Sequence, residues 1–278
     1  MINNRGIVFK LTDEHCRHPN DYKYTISTSI MNMSNPCKTI RPIDELASYD
    51  AAILENPDNA QRSSTGRRSK RAIGTWSKFW ANGRTLRIAF VDTPTQPKRL
   101  AIEAMIKQWQ PSVNLQFEFI DQGESEIRIS TSSAVNNSAV GTDALLYEQH
   151  VPTLNLNIEF DHPEFEITVL HEFGHALGLQ HEQQHPKANI PWDKPKVYEF
   201  YRTHYGWSEA DTDFNVLMPL GGSDHLWGRY DKDSIMHYAV PNELTTGDWE
   251  VGINTKISML DRRVMRKAYP KFRPDEAD

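Results

Sequence analysis

An α+β fold, with a twisted sheet backed by helices, is predicted by three features of this 278-residue chain. Short segments between residues 85 and 160 alternate apolar and polar side chains at a period of two, as half-buried strands do. Stretches of helical spacing interrupt or follow them. From about residue 183 the regular patterns thin into sequence rich in Pro, Gly, Asp and Trp, which predicts an irregular lower part.

The elements follow in order. "TLRIAFVD" sets Leu86, Ile88 and Phe90 on one face of a strand. "PKRLAIEAMIKQWQP" spaces Ile102, Met105, Ile106 and Trp109 at helical intervals between two prolines. Alternation returns in "NLQFEFID" (Leu115, Phe117, Phe119), in "EIRIST" (Ile127, Ile129) and in "TLNLNIEF" (Leu154, Leu156, Ile158, Phe160). A helix is predicted over 165–178, another over "KPKVYEFYRTHY", and a C-terminal one from "SMLDRRVMRKAY", where Ser258 and Asp261 fit a capping box. Residues 55–71, "ENPDNAQRSSTGRRSKR", read as an exposed linker. Its "RRSKR" end is either a processing site or a solvated basic loop. The division expected is an N-terminal extension over 1–71 and a main domain over 72–278, with the extension packing on the domain rather than building its own core.

Composition narrows the function. The chain is 38% hydrophobic and 24% charged with a formal charge of -6, so it offers no basic field for nucleic acid or anionic lipid. No run approaches the ~20 apolar residues of a membrane span, and the N-terminus lacks the apolar core of a secretory signal. Both cysteines, Cys16 and Cys37, precede residue 38, so the main domain must fold without disulfides or thiolate ligands of its own.

The chemistry concentrates in residues 171–182, "HEFGHALGLQHE". On a helix turning about 100° per residue, His171 and His175 lie one turn apart on one face, and Val169, Leu170, Phe173, Ala176 and Leu177 fall on the opposite arc. Glu172 stands beside the two imidazoles, placed to take a proton from a metal-bound water. Gly178 can adopt the left-handed conformation that ends a helix, so that the chain turns back and His181 supplies a third nitrogen. Three imidazoles leave a catalytic zinc one open position. His-Glu-x-x-His alone is a weak pattern, but the extended form with the glycine and third histidine is specific, because each added element has its own mechanical reason. About fifty residues on, "DKDSIMHYAV" places Met236 two residues before Tyr238. Alone this methionine would be ordinary core; after such a helix it reads as a methionine turn beneath the metal.

On these residues the chain resembles the astacin-type metzincins, over roughly residues 72–278. Glu182 after the third histidine and the "SIMHY" form of the turn mark that branch, and Trp80 before the first strand and "SAVG" at Ser138–Gly141 agree with it. The resemblance implies a metzincin (zincin-like) fold: a twisted mixed sheet with the active-site helix in an upper subdomain (about 72–181) and an irregular lower one (about 182–278) with a C-terminal helix. It implies a zinc endopeptidase acting on protein or peptide substrates, one Zn2+ held by His171, His175 and His181, Glu172 as general base and then acid, and Tyr238 as the oxyanion donor. Met236, Gly178 and Glu182 would support the site, Glu182 by anchoring the start of the mature domain. Substrate would lie antiparallel to an upper edge strand near "NSAVGTDALL". Arg229, His225 and Lys232 either line the pocket beyond the scissile bond or are merely solvated.

Two departures matter. Secreted animal astacins carry catalytic-domain disulfides, absent here, which points to a microbial type. The implied setting is export or translocation into a target cell by a route without a classical signal, with a cytoplasmic protein as the other reading; a monomer is expected. The aspartate-bearing stretch with which astacin propeptides cap the zinc is not recognisable in residues 1–71; a thiolate cap by Cys37 in "NPCKT" or Cys16 in "EHCRH" is the alternative it leaves, less favoured than a free thiol or a Cys16–Cys37 disulfide. Two other functions fit the motif: a serralysin-like metzincin, disfavoured because the glycine-rich calcium repeats are missing, and a catalytically idle binding module, disfavoured because Glu172 is present.

Overall fold

The period-two segments become strands and the 3.6-spaced segments become helices in the computed structural model, which describes residues 36–60, 76–221 and 228–271. Ser34–Asp278 cluster as one compact unit. In chain order the regular elements are β1 (Lys38–Ile40), α1 (Glu45–Glu55), β2 (Thr85–Phe90), α2 (Gln96–Lys107), β3 (Gln116–Ile120), β4 (Ile127–Ser130), β5 (Asn137–Ala139), β6 (Leu154–Asn155), α3 (Phe165–Ala176), α4 (Lys194–Tyr205), α5 (Glu209–Thr212) and α6 (Met259–Ala268). The strands form one mixed sheet in the order β1-β5-β6-β4-β2-β3. Of these pairs β5 with β6 is antiparallel; the other neighbours run parallel.

The core lies between the sheet, α2 and α3. Leu86 and Ile88 of β2, Ile127 and Ile129 of β4, Ile102 and Ile106 of α2 and Val169, Leu170 and Phe173 of α3 are all buried. Side chains from remote elements fix α3 in place. The Trp109 indole N–H donates to the Leu170 carbonyl (3.2 Å), the Trp80 indole to Ala176 (2.8 Å) and the Tyr269 hydroxyl to Leu177 (2.7 Å). The last two satisfy carbonyls at the helix end, which have no partner within the helix. Against the expectation of one buried face, α3 is buried almost all round, because the Ile235–Tyr238 stretch and Cys37 of the extension cover the arc that carries the histidines and Glu172.

Three expectations need correction. The "TLNLNIEF" strand holds only Leu154–Asn155, and Phe160 is exposed; beyond Leu156 the Asn157 N–H donates to the Asn136 side chain (2.6 Å) and the chain leaves the ladder. Residues 55–60 are not exposed linker. Asn59 is buried, its amide donating to the Ala52 and Phe79 carbonyls and its oxygen accepting from Phe79 N and Ser77 Oγ; residues 61–71 lie outside the described ones. And the extension contributes both β1 and α1, neither of which the patterning anticipated.

With no disulfide in the main domain, a buried arginine ties its loops. Arg128 in β4 is 1% exposed, and its guanidinium donates to the carbonyls of Val151 (2.7 Å), Ser125 (2.7 Å), Ala144 (2.9 Å) and Tyr147 (3.2 Å). Burial lowers its pKa, yet no neutral side chain offers as many donors in one plane. Arg128→Met removes all of them and leaves four carbonyls without partners, an expected loss of about 3–5 kcal/mol. Urea unfolding should show the midpoint falling sharply; a midpoint within error of the parent would refute this account.

Candidate active site

The spacing of residues 171–181 puts three imidazoles at one point. His171 and His175 are one turn apart on α3, and Gly178, at φ +99°, turns the chain after it. A side chain at Gly178 would be strained by that φ and its Cβ would lie 2.7 Å from the Phe79 ring, so the turn is reserved for glycine. His181 then returns to the cluster. His175 Nε2 lies 3.2 Å from His171 Nε2 and 3.0 Å from His181 Nε2. All three rings are buried. His171 Nδ1 sits 2.8 Å from the Ile235 carbonyl and His175 Nδ1 2.8 Å from the Leu179 carbonyl. A carbonyl only accepts, so both Nδ1 atoms carry the proton and both Nε2 lone pairs face the centre.

This donor set fits zinc. Nitrogens bound at 2.0–2.1 Å in a tetrahedron stand about 3.3 Å apart, close to the spacings seen. Burial pushes His171 down to about 4 and holds His175 and His181 well below the usual imidazole range, so all three present neutral lone pairs at neutral pH.

Cys37 completes the cluster. Its sulfur and the three imidazoles offer ligand atoms that all lie within 4.8 Å of one another. The thiol is free and buried, so a Cys16–Cys37 disulfide is excluded for this state; Cys16 lies outside the described residues. Cys37 Sγ donates to Glu172 Oε2 at 3.1 Å. Burial raises the Glu172 carboxyl to about 8, and burial together with the neighbouring Glu172 pushes the Cys37 thiol upward. Two anions cannot share this dry space without a cation between them.

The methionine turn lies beneath. Met236 is buried, its carbonyl accepts from Glu182 N (3.0 Å), and a Cβ at Gly174 would collide with its sulfur. Gly174 is therefore the position that admits Met236 under α3. Sequence patterning misses this role because the contact joins residues far apart in the chain. The turn is pinned by Asp261, which closes the anticipated capping box with Ser258 and also accepts from Ser234 Oγ (2.6 Å) and Ile235 N (2.9 Å). Tyr238 follows with its ring 4.5 Å from that of His181, and its hydroxyl donates to the Cys37 carbonyl. Glu182 accepts from Asp231 N (2.9 Å), and burial raises its carboxyl to about 8; the expected mature start at residue 72 lies outside the described residues, as does His225. Arg229 and Lys232 are exposed, and Lys232 lies over the Trp249 ring at 4.2 Å.

The edge expected to take substrate is already filled. Lys38–Ile40 pairs with Asn137–Ala139 in parallel register. Behind it α1 is clamped to the main domain. Ser48 Oγ donates to Asp143 Oδ1 (2.5 Å), and Asp143 Oδ2 also meets Lys78 Nζ (2.5 Å). Glu55 pairs with Arg84, and the Asn56 amide donates to the Trp80 carbonyl (3.1 Å).

A helix that carries two imidazoles and a carboxylate, a third imidazole converging from the chain just beyond its turn, and a methionine turn packed beneath them make the arrangement of a metzincin-type zinc site. A sequence profile of the astacin peptidase family matches residues 72–270, and the chain belongs to that family. A solved structure of myroilysin superposes with a TM-score of 0.66 at 35% identity, covering 70% of this chain and 97% of that one. Zinc metalloproteinase dpy-31 of Caenorhabditis elegans is 26% identical over 82% of this chain and 37% of its own length. Matrix metalloproteinase-19 of Homo sapiens is 29% identical over 48% of this chain and 28% of its own. The chain thus spans about a third of the length of these curated relatives. The family assignment sets aside the serralysin branch. Among the described residues no helix is long and apolar enough to cross a membrane.

Proposed function

We propose that this chain is a zinc-dependent endopeptidase of protein substrates, held latent by its own N-terminal arm. The observation that carries the reading is the convergence of three buried imidazoles, with His175 Nε2 within 3.2 Å of the other two, beside the Glu172 carboxylate. His171, His175 and His181 would hold the metal. Zinc, when bound, polarises a carbonyl and acidifies water. Glu172 takes the proton of the attacking water and passes it to the departing amine. Tyr238 donates its hydroxyl to the substrate oxygen that gains charge, as it now donates to the Cys37 carbonyl. Met236, Gly178 and Glu182 shape the floor and turns of the site.

The mature enzyme would begin near residue 72, with the cleft between the sheet edge and the lower segment. Substrate would add to β5 antiparallel once the arm leaves. The arm runs parallel to β5, so it crosses the cleft in the direction opposite to a substrate and presents its peptide groups reversed. That orientation lets it fill the site without being cut. Cys37 would supply a fourth donor to a metal held by the three histidines, leaving no position for substrate. A protease that carries its own plug is suited to release or translocation before activation.

The direct test opens the chain at its basic run Arg67–Arg71 with immobilised trypsin, removes the beads, and assays casein hydrolysis with and without a zinc chelator. Chelator-sensitive hydrolysis that zinc restores is expected. An opened chain that binds one zinc and cuts nothing would favour the idle binding module.

A further inference from the structure

We infer that Trp207 and Asp211 form a subsite for a Lys or Arg side chain of the substrate, on the N-terminal side of the scissile bond. The inference rests on the proposed peptidase function and names the substrate class it serves. Its evidence is the way the arm is seated. Lys38, next to the metal-facing Cys37, places Nζ 4.8 Å from the centre of the Trp207 ring and 3.5 Å from Asp211 Oδ2. Three residues on, the Arg41 guanidinium lies 3.7 Å from the centre of the Phe214 ring and donates to the Ala210 carbonyl at 3.1 Å. Two cations of one arm thus rest on a single ridge, residues 207–214, each meeting an aromatic face and an oxygen.

The ridge does not depend on the arm for its shape. Trp207 is buried and stacked on buried Tyr201, ring centres 5.0 Å apart. Gly206, at φ +67°, ends α4 and turns the chain so that Trp207 packs there. Asp211 is the third residue of α5 and closes a capping box with Ser208, accepting from Ser208 Oγ at 2.8 Å. Ser208 holds its carboxyl below the usual carboxylate range, with Lys38 adding to that, so the charge persists when Lys38 is gone. Between the two cations, Thr39 bonds the Asn215 side chain through both its backbone N–H and its hydroxyl, which sets the height of the arm over the ridge.

Direction assigns the side of the bond. The arm runs from Cys37 at the histidine cluster toward Ile40 along β5. An antiparallel substrate in the same groove runs the other way, so its residues N-terminal to the scissile bond occupy the places of Lys38 to Arg41. The first or second of them meets Trp207 and Asp211.

The experiment uses the full chain opened by immobilised trypsin, counting only chelator-sensitive cleavage. Peptides carry Lys, norleucine or Glu at the first and second positions before the bond cut, and kcat/KM is read for each. The Lys peptide should exceed the Glu peptide by roughly tenfold at one of the two positions, the scale of one exposed ion pair with a cation–π contact. Asp211→Asn, which keeps an acceptor for Ser208, should flatten that ratio, and Asp211→Lys should invert it. Cleavage of the norleucine peptide with a Lys-to-Glu ratio unmoved by either substitution overturns the subsite and leaves the peptidase assignment standing. If no peptide is cut by the unsubstituted chain, the peptidase assignment itself falls, and the subsite with it.

Discussion

Glu172→Gln should leave one zinc per chain and remove nearly all turnover. The carboxyl lies beside the histidine cluster rather than within its ligand set, so zinc retention should not depend on it. Glutamine has the same length and can still accept the Cys37 thiol bond, but it cannot take a proton from water. General base catalysis contributes about 10²–10⁴-fold, so a loss near 10³ is expected, about 4 kcal/mol of transition-state stabilisation. The measurements are zinc content and kcat/KM on a neutral peptide, made on the trypsin-opened chain. Full activity in the zinc-loaded variant would overturn the role of Glu172. Loss of both zinc and activity would instead assign the carboxyl to holding the site together.

How much of the fold and the site is legible in the sequence depends on how local each signal is. The histidine cluster is legible because its three imidazoles sit at i, i+4 and i+10 with a glycine between them, the first pair set on one face by 3.6 residues per turn. The capping box at Ser258 is legible for the same reason, although its second duty, Asp261 pinning Ile235 in the methionine turn, is not. α1 escapes notice because its buried face is made of Ser48 and Ala52, small residues held by Asp143 and Asn59 rather than by an apolar stripe. β1 has three residues, too few for alternation to register. The place of Cys37 depends on a contact with Glu172 across 135 residues of sequence, and that of Gly174 on the remote Met236. No local pattern encodes such pairings. The first arises when the sheet edge and the lower segment close around the arm, the second when the turn at Met236 packs under α3.

That closure makes Cys37 the residue whose loss should change the intact protein most. In the uncut chain Cys37→Ser should raise peptidase activity at least ~100-fold, the equivalent of about 2.7 kcal/mol, while leaving it below that of the trypsin-opened chain. Serine removes the sulfur that would be the fourth ligand, but β1 still pairs with β5 and the arm stays clamped at Asp143, Arg84 and Phe79. The tethered arm therefore continues to compete with substrate at the millimolar effective concentration typical of short linkers. Cys16→Ser should change nothing. A second readout needs no turnover: Cys37 should resist alkylation in the zinc-loaded chain and become reactive when a chelator withdraws the metal, because bound zinc holds the sulfur as a ligand and shields it. An uncut Cys37→Ser chain as silent as its parent, with thiol reactivity indifferent to chelator, would assign latency to the strand alone. Rapid alkylation with zinc in place would show that the sulfur does not reach the metal in solution.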